Sequence, residues 1–207
     1  EPEERHDVWM LVARTFLDEI GDPESALASY GRALVEKPDA VEVIEQIEAL
    51  SGQTANWPSG AQLLVDALES PQIDEESSMA IYLSLAGIFD EHLKQIEQAE
   101  NAYLNVLQID ETEPKALAAL DRIYGLQGRW EDLSTIIQRR VQSTYEEDEI
   151  LDLNFRLAQL FQGQLGELDR AVDTYRTILD IQPSHHESLK CLECLEYLEC
   201  LECVGSL

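Results

Sequence analysis

The stretch that decides the fold is Ala26-Leu-Ala-Ser-Tyr-Gly-Arg-Ala-Leu-Val-Glu-Lys-Pro38, because the chain repeats its pattern twice. The counterparts are AENAYLNVLQIDE from Ala99 and AVDTYRTILDIQP from Ala171, at offsets of 73 and 72 residues. Each copy has an alanine, an aromatic residue four positions later, and a leucine four positions after that. Residues four apart lie on one side of an α-helix, so each copy predicts a helix with a continuous packing stripe.

A second apolar-periodic stretch precedes each copy at the same offsets. Its members share a helical spacing and are Trp9, Val12, Ala13, Phe16; Tyr82, Leu85, Ala86, Phe89; and Asn154, Leu157, Ala158, Phe161. Asp22 followed by Pro23 is typical of a helix N-cap with proline at the first helical position. Each unit is therefore predicted to be a helix, a short turn and a second helix.

Further helix pairs lie between these units. AVEVIEQIEAL pairs with PKALAALDRIY, so that Ile44 corresponds to Leu117, and Trp57 lies 73 residues before Trp130. The chain is thus predicted to be nearly all helix, in five hairpins and the start of a sixth. The expected bounds are 6–38, 39–70, 74–111, 112–143, 147–183 and 184–207.

The repeated residues resemble the pattern of a known repeat family. Trp9-x2-Val12-Ala13-x2-Phe16, then Ala26-x3-Tyr30, then Pro38, resembles the tetratricopeptide repeat pattern W-x2-L-G-x2-Y…A-x3-F…P. The recurrence at a fixed offset extends this resemblance over almost the whole chain. It implies an all-α, right-handed α-solenoid of stacked antiparallel helix pairs over residues 1–207. Since the sequence begins without methionine, we expect this array to be a fragment of a longer chain.

Two departures from the family pattern stand out. Each odd-numbered hairpin has one extra residue in its turn, as in LDEIGD and QGQLGE. The even-numbered hairpins lack the alanine–aromatic pair and have a tryptophan near the start of the second helix.

Charge limits the class of partner. The chain has 42 acidic and 14 basic side chains, which gives a net charge of −28. This argues against nucleic acid and anionic membranes, because both need clustered Lys and Arg, and favours basic or neutral proteins. No run of 18 apolar residues exists, so no membrane insertion is expected. Free thiols favour a reducing compartment, and hence the cytoplasm.

The sequence offers no catalytic constellation. It has no glycine-rich phosphate loop, no HExxH and no GxSxG, and it has four histidines. Acidic pairs at helical spacing occur throughout, so a proposed acid–base pair would have no specificity. We therefore expect neither an enzyme nor a cofactor.

All four cysteines lie in Cys191-Leu-Glu-Cys-Leu-Glu-Tyr-Leu-Glu-Cys-Leu-Glu-Cys203. On one helix the two CxxC pairs would face roughly opposite sides, since three residues fall about 60° short of a full turn. A four-cysteine zinc site, a mixed site with His185 and His186, and a redox pair are the alternatives to a plain capping helix. We expect the plain helix, with Ser184 and Glu187 forming a capping box and no metal.

The resemblance also implies that a partner binds in the concave groove, because first helices line the concave side in this family. By register, the candidate partner-binding residues are Asp7, Met10, Arg14, Leu17, Glu42, Glu45, Leu83, Asp90, Glu91, Arg122, Phe155 and Gln159. The predicted function is a protein-interaction scaffold for a peptide or protein with basic and aliphatic residues. The alternatives are an acidic chaperone or mimic that sequesters a basic partner, and the repeat domain of a larger enzyme or regulator.

Overall fold

The computed structural model describes the backbone of residues 1–205 and the side chains of residues 1–195. The α-helices are α1 Pro2–Thr15, α2 Pro23–Glu36, α3 Val41–Gln53, α4 Trp57–Leu68, α5 Glu75–Gly87, α6 Ile96–Ile109, α7 Pro114–Gln127, α8 Trp130–Ser143, α9 Glu147–Leu160, α10 Leu168–Ile181 and α11 His186–Gly205. No β-strand occurs between residues 1 and 205. The all-α prediction is therefore confirmed.

The helices form two compact units. One covers Glu1–Ala116 and the other starts at Leu117, in the first turn of α7. In unit 1, α1 packs on α2, α3 on α4 and α5 on α6, while α2 also contacts α3 and α4. In unit 2, α9 packs on α8 and α10, and α10 also packs on α11. Successive hairpins thus bury one another's apolar faces within each unit; the single array over all hairpins stays a prediction.

The predicted packing stripe forms the core of the odd-numbered hairpins. Ala26, Ala99 and Ala171 are completely buried, and the aromatic residue one turn later is at most 7% exposed in each case. Burial of one such ring stabilises the fold by about 2–3 kcal/mol in transfer free energy. The small alanines allow close helix approach, which explains why alanine and the aromatic residue recur together.

The extra residue of the odd-numbered hairpins forms a π-helical turn. These turns are Phe16–Ile20, Ile88–His92 and Phe161–Leu165, each at the end of a first helix. A π-helical turn closes i→i+5 hydrogen bonds, so it absorbs one additional residue inside a helix. The departure from the family pattern noted above therefore has a local structural solution.

In each of the first five hairpins, a residue with a left-handed backbone conformation follows the first helix at an equivalent position. In the odd-numbered hairpins it is Gly21, Lys94 or Gly166, with φ of 74°, 55° and 69°. In the even-numbered hairpins it is Ala55 or Gly128, with φ of 51° and 68°. Glycine adopts this conformation freely, whereas Lys94 and Ala55 are strained there.

The predicted caps had different outcomes. Asp22 caps α2 as expected, since its carboxylate accepts a hydrogen bond from the N–H of Ser25 at 3.1 Å and Pro23 opens the helix. The capping box of Ser184 and Glu187 is wrong. Instead, the N–H of Ser188 donates to Nδ1 of His185 at 3.2 Å, so the imidazole caps α11.

Candidate functional site

The predicted partner-binding residues differ in exposure. Those exposed are Asp7, Arg14, Glu42, Glu45, Glu91, Arg122 and Gln159. Those half-buried are Met10, Leu17, Leu83 and Phe155. Most of these side chains are therefore accessible to a partner.

Asp90 departs from the prediction because it is only 7% exposed. It lies in a π-helical turn, at the register position that Gln162 occupies in the fifth hairpin. Gln162 accepts a hydrogen bond from the phenol of Tyr175 at 3.0 Å, which shows that this position faces the second helix of its own hairpin. The surface position predicted for Asp90 is therefore wrong for the free chain, where the residue is almost completely buried.

Phe155 belongs to an aromatic cluster. Its ring centroid lies 5.9 Å from that of Tyr175 and 5.5 Å from that of His185, in tilted geometry. These contacts join α9 to α10 and to the start of α11. Burial raises the pKa of Tyr175, and the neighbouring Cys191 raises it further, so the phenol stays protonated. Phe155 therefore contributes to internal packing in unit 2.

Unit 1 contains a cleft of about 450 Å³ between the N-terminal ends of α3 and α5. We call it the acidic cleft, and its lining residues are Pro38, Asp39, Val41, Asp74, Glu76, Ser77, Met79, Ala80 and Leu83. Leu83 is the predicted residue that lies in it. Register alone missed Val41, although this residue is 53% exposed and apolar just after a Pro-Asp turn.

The cleft combines apolar and anionic groups. Val41, Met79 and Leu83 supply apolar surface, and Asp39, Asp74 and Glu76 supply carboxylates. Asp74 also caps α5, with its Oδ1 accepting from the N–H of Ser77 at 2.8 Å. Hydrogen bonds from Ser77 lower the pKa of Asp74, so this carboxylate is ionised at neutral pH. The cleft can therefore take an aliphatic side chain flanked by a cation.

The described part of the tail supplies no metal centre. Cys191 is half-buried and Cys194 is exposed, and both are free thiols. Among the side chains described, no three His, Cys, Asp or Glu residues are grouped to hold a metal ion. The side chains of Cys200 and Cys203 lie outside the described residues, so the expected lack of zinc stays a prediction. Among all the residues that the structure describes, every helix is too short or too polar to cross a membrane.

Comparisons with known proteins agree with this fold. Residues 151–185 match the family model of the tetratricopeptide repeat. A tetratricopeptide repeat protein from Parabacteroides merdae superposes with a TM-score of 0.51 at 14% identity, over 95% of this chain and 74% of that one. YrrB, a tetratricopeptide repeat protein with an unusual peptide-binding site, gives a TM-score of 0.48 at 14% identity, over 89% and 90% of the chains. No curated protein matches the sequence. The family match and the fold confirm the resemblance found in the sequence.

Proposed function

We propose that this chain, which folds as a tetratricopeptide repeat protein, is a non-catalytic scaffold that binds a peptide or protein along its first helices. The repeat fold itself supports the broader statement, because stacked hairpins present extended surfaces for protein interaction. The acidic cleft supports the finer statement that a peptide anchors at α3 and α5.

The observation that carries the proposal is the exposed apolar surface of the acidic cleft beside three carboxylates. An aliphatic side chain of the partner would cover Val41 and Leu83, and a neighbouring Lys or Arg would pair with Asp39 or Glu76. Apolar burial would supply most of the affinity, because exposed ion pairs contribute only about 0–1 kcal/mol each. Charge would set the association rate and the choice of partner.

A second candidate is the acidic chaperone or mimic, and the distribution of charge favours it in unit 1. Unit 1 has 25 acidic and 6 basic side chains, a net charge of −19, whereas unit 2 has 17 and 8, a net charge of −9. Binding by net charge alone would be lost between low and moderate salt. Binding in the acidic cleft would keep most of its affinity, because its apolar part is insensitive to salt.

The test is selection of a phage-displayed library of random twelve-residue peptides against the whole chain. We expect enriched peptides to place Lys or Arg within a few positions of Leu, Ile or Val. Synthetic versions of these peptides should bind the Val41→Glu variant about tenfold or more weakly than the unmodified chain, a change of about 1.4 kcal/mol. Leu83→Glu should do the same.

Leu126→Glu is the matched control, because Leu126 is an apolar side chain that is 79% exposed in unit 2. This variant should bind as the unmodified chain does. Equal binding by all three variants, or peptides enriched only in Lys and Arg whose affinity vanishes at moderate salt, would contradict the proposal.

A further inference from the structure

A second cleft in unit 2 arises from a substitution within the repeat. Asn154 occupies the position of Trp9 in the first hairpin and Tyr82 in the third. In the first hairpin the guanidinium of Arg32 lies 4.7 Å from the ring centroid of Trp9. Thr177 is the register equivalent of Arg32. The ring of Trp9 and the cation of Arg32 in the first hairpin are thus replaced by the amide of Asn154 and the hydroxyl of Thr177 in the fifth.

Asn154 and Thr177 line a cleft of about 370 Å³ between α8, α9 and α10. We call it the amide cleft, and its other lining residues are Gln138, Val141, Gln142, Leu157, Asp173 and Thr174. In unit 1, the register equivalents of Gln138 and Val141 are Val65 and Leu68. Of the eight positions in unit 1 that correspond to this lining, five are apolar or aromatic, against two of eight in unit 2.

The side chains that α9 and α10 contribute to the amide cleft offer mainly acceptors, whereas the amides of Gln138 and Gln142 on α8 offer donors as well. Asn154 is 7% exposed, and its Nδ2 donates to the carbonyl of Ile150 at 2.8 Å. Among the residues described, its Oδ1 accepts no hydrogen bond. Thr174 and Thr177 donate their hydroxyl protons to backbone carbonyls at 2.7 and 3.0 Å, so toward the cleft they can only accept. Asp173 adds a carboxylate.

We propose that the amide cleft binds an aromatic side chain with a hydrogen-bond donor, a tyrosine or tryptophan of a protein partner. The repeat places rings at this register position in two other hairpins, and Val141 and Leu157 supply apolar contact for a ring here. The acceptors of Asn154, Thr174 and Thr177 favour a donor on the ligand, which the phenol O–H or indole N–H provides. The side-chain carbonyl of Asn154 accepts this hydrogen bond, and the amides of Gln138 and Gln142 lie beside the ring.

The experiment titrates the whole chain with single-residue probes and follows the side-chain amide signals of Asn154, Gln138 and Gln142 by NMR. N-acetyl-tyrosinamide and N-acetyl-tryptophanamide should give saturable shifts. N-acetyl-phenylalaninamide, a ring without a donor, should bind about tenfold more weakly, because it cannot donate a hydrogen bond to Oδ1 of Asn154. N-acetyl-leucinamide and N-acetyl-argininamide should give no saturable shift.

Two variants connect the shifts to the cleft. Asn154→Trp restores the residue of the first hairpin and should abolish probe binding without lowering the thermal midpoint. Gln142→Ala changes an exposed side chain, so the fold is safe, and it should weaken binding several-fold. The proposal is overturned if arginine or leucine probes bind as well as tyrosine, if no probe gives saturable shifts, or if binding survives in both variants. The peptide selection tests residues of the acidic cleft, and the NMR titration tests residues of the amide cleft. Either proposal can therefore fail without the other.

Discussion

Two neighbouring first helices are joined at the same register position in both units, but by different chemistry. In unit 1 the hydroxyl of Ser84 on α5 donates to the carboxylate of Glu48 on α3. In unit 2 the guanidinium of Arg156 on α9 donates two hydrogen bonds to Asp121 on α7, at 2.8 and 2.5 Å. Asp121 follows Glu48 by 73 residues, and Arg156 follows Ser84 by 72. The repeat thus determines where the helices are bonded, but not the strength of the bond.

The bond in unit 2 is part of a charge network. Arg140 on α8 also donates to Asp121 at 2.6 Å and to Glu149 at 3.2 Å. The carboxylate of Asp121 is 5% exposed, whereas the side chains of Arg140 and Arg156 are 26% and 47% exposed. One buried anion therefore ties three helices together, while its cations keep part of their hydration.

The largest expected effect is the loss of this network. Asp121→Ala should lower the free energy of unfolding by about 2–3 kcal/mol, less than a fully buried pair because both arginines can rehydrate. Glu48→Ala should cost only about 0.5–1 kcal/mol, since it removes one hydrogen bond. Urea denaturation followed by circular dichroism measures both. Equal losses would show that the two contacts are energetically equivalent, against the comparison.

The second prediction concerns the register position that Tyr82 occupies in unit 1 and Asn154 in unit 2. Tyr82→Asn gives unit 1 the residue that Asn154 provides in unit 2. It should cost about 1–2 kcal/mol, because Tyr82 is half-buried. It should not produce saturable tyrosinamide binding, because Val65 and Glu69 stand where unit 2 has the amides of Gln138 and Gln142. Thermal unfolding and the NMR titration measure the two parts, and binding by this variant would show that the polar walls of unit 2 are dispensable.

The helical periodicity predicted the fold because its cause is local and repeats. The alanine–tyrosine stripe fixed which side of α2, α6 and α10 is buried, and the extra residue marked the three π-helical turns. Register also placed Leu83 in a cleft. Helical spacing identifies the side of a helix on which a residue lies, and that is enough to find a packing stripe.

The sites were harder to predict because they depend on the ends of helices and on neighbours. Asp90 lies beyond the point where the π-helical turn changes the spacing, so α-helical register placed it wrongly at the surface. Phe155 has a half-buried ring that α10 and the start of α11 contact. Val41 and Asn154 became notable only when their exposure and neighbours were known.

The third prediction concerns the left-handed residues. Ala55→Gly and Lys94→Gly in unit 1 should each raise the free energy of unfolding by about 0.5–1 kcal/mol, because they relieve a positive φ. Gly166→Ala in unit 2 should lower it by about 1 kcal/mol through the backbone alone. No atom lies within 4 Å of the Cβ it would add, which makes it a clean control for steric effects. Stabilisation by Gly166→Ala would contradict the assignment of strain.

The smallest effect concerns helix caps and acid. In unit 1, Asp74 caps α5 and Asn56 caps α4, where its Oδ1 accepts from the N–H of Ser59 at 3.4 Å. In unit 2, α9 and α10 follow Glu146 and Glu167, whose side chains make no cap bond. Acid-sensitive capping by aspartate is thus a property of unit 1 in this comparison.

The direction in which pH changes the free energy of unfolding follows from the pKa of Asp74, which hydrogen bonds from Ser77 lower. A carboxylate with a folded pKa below its unfolded value of about 3.9 stabilises the fold above that pH, and the contribution is lost as pH falls through the folded pKa. Asn caps almost as well as Asp at any pH. Asp74→Asn should therefore leave the free energy of unfolding nearly unchanged at pH 7 and make its decline in acid shallower. Asn56→Asp should make the decline steeper. If urea denaturation between pH 7 and pH 3 gives parallel curves for all three proteins, the caps do not contribute to the acid sensitivity of unit 1.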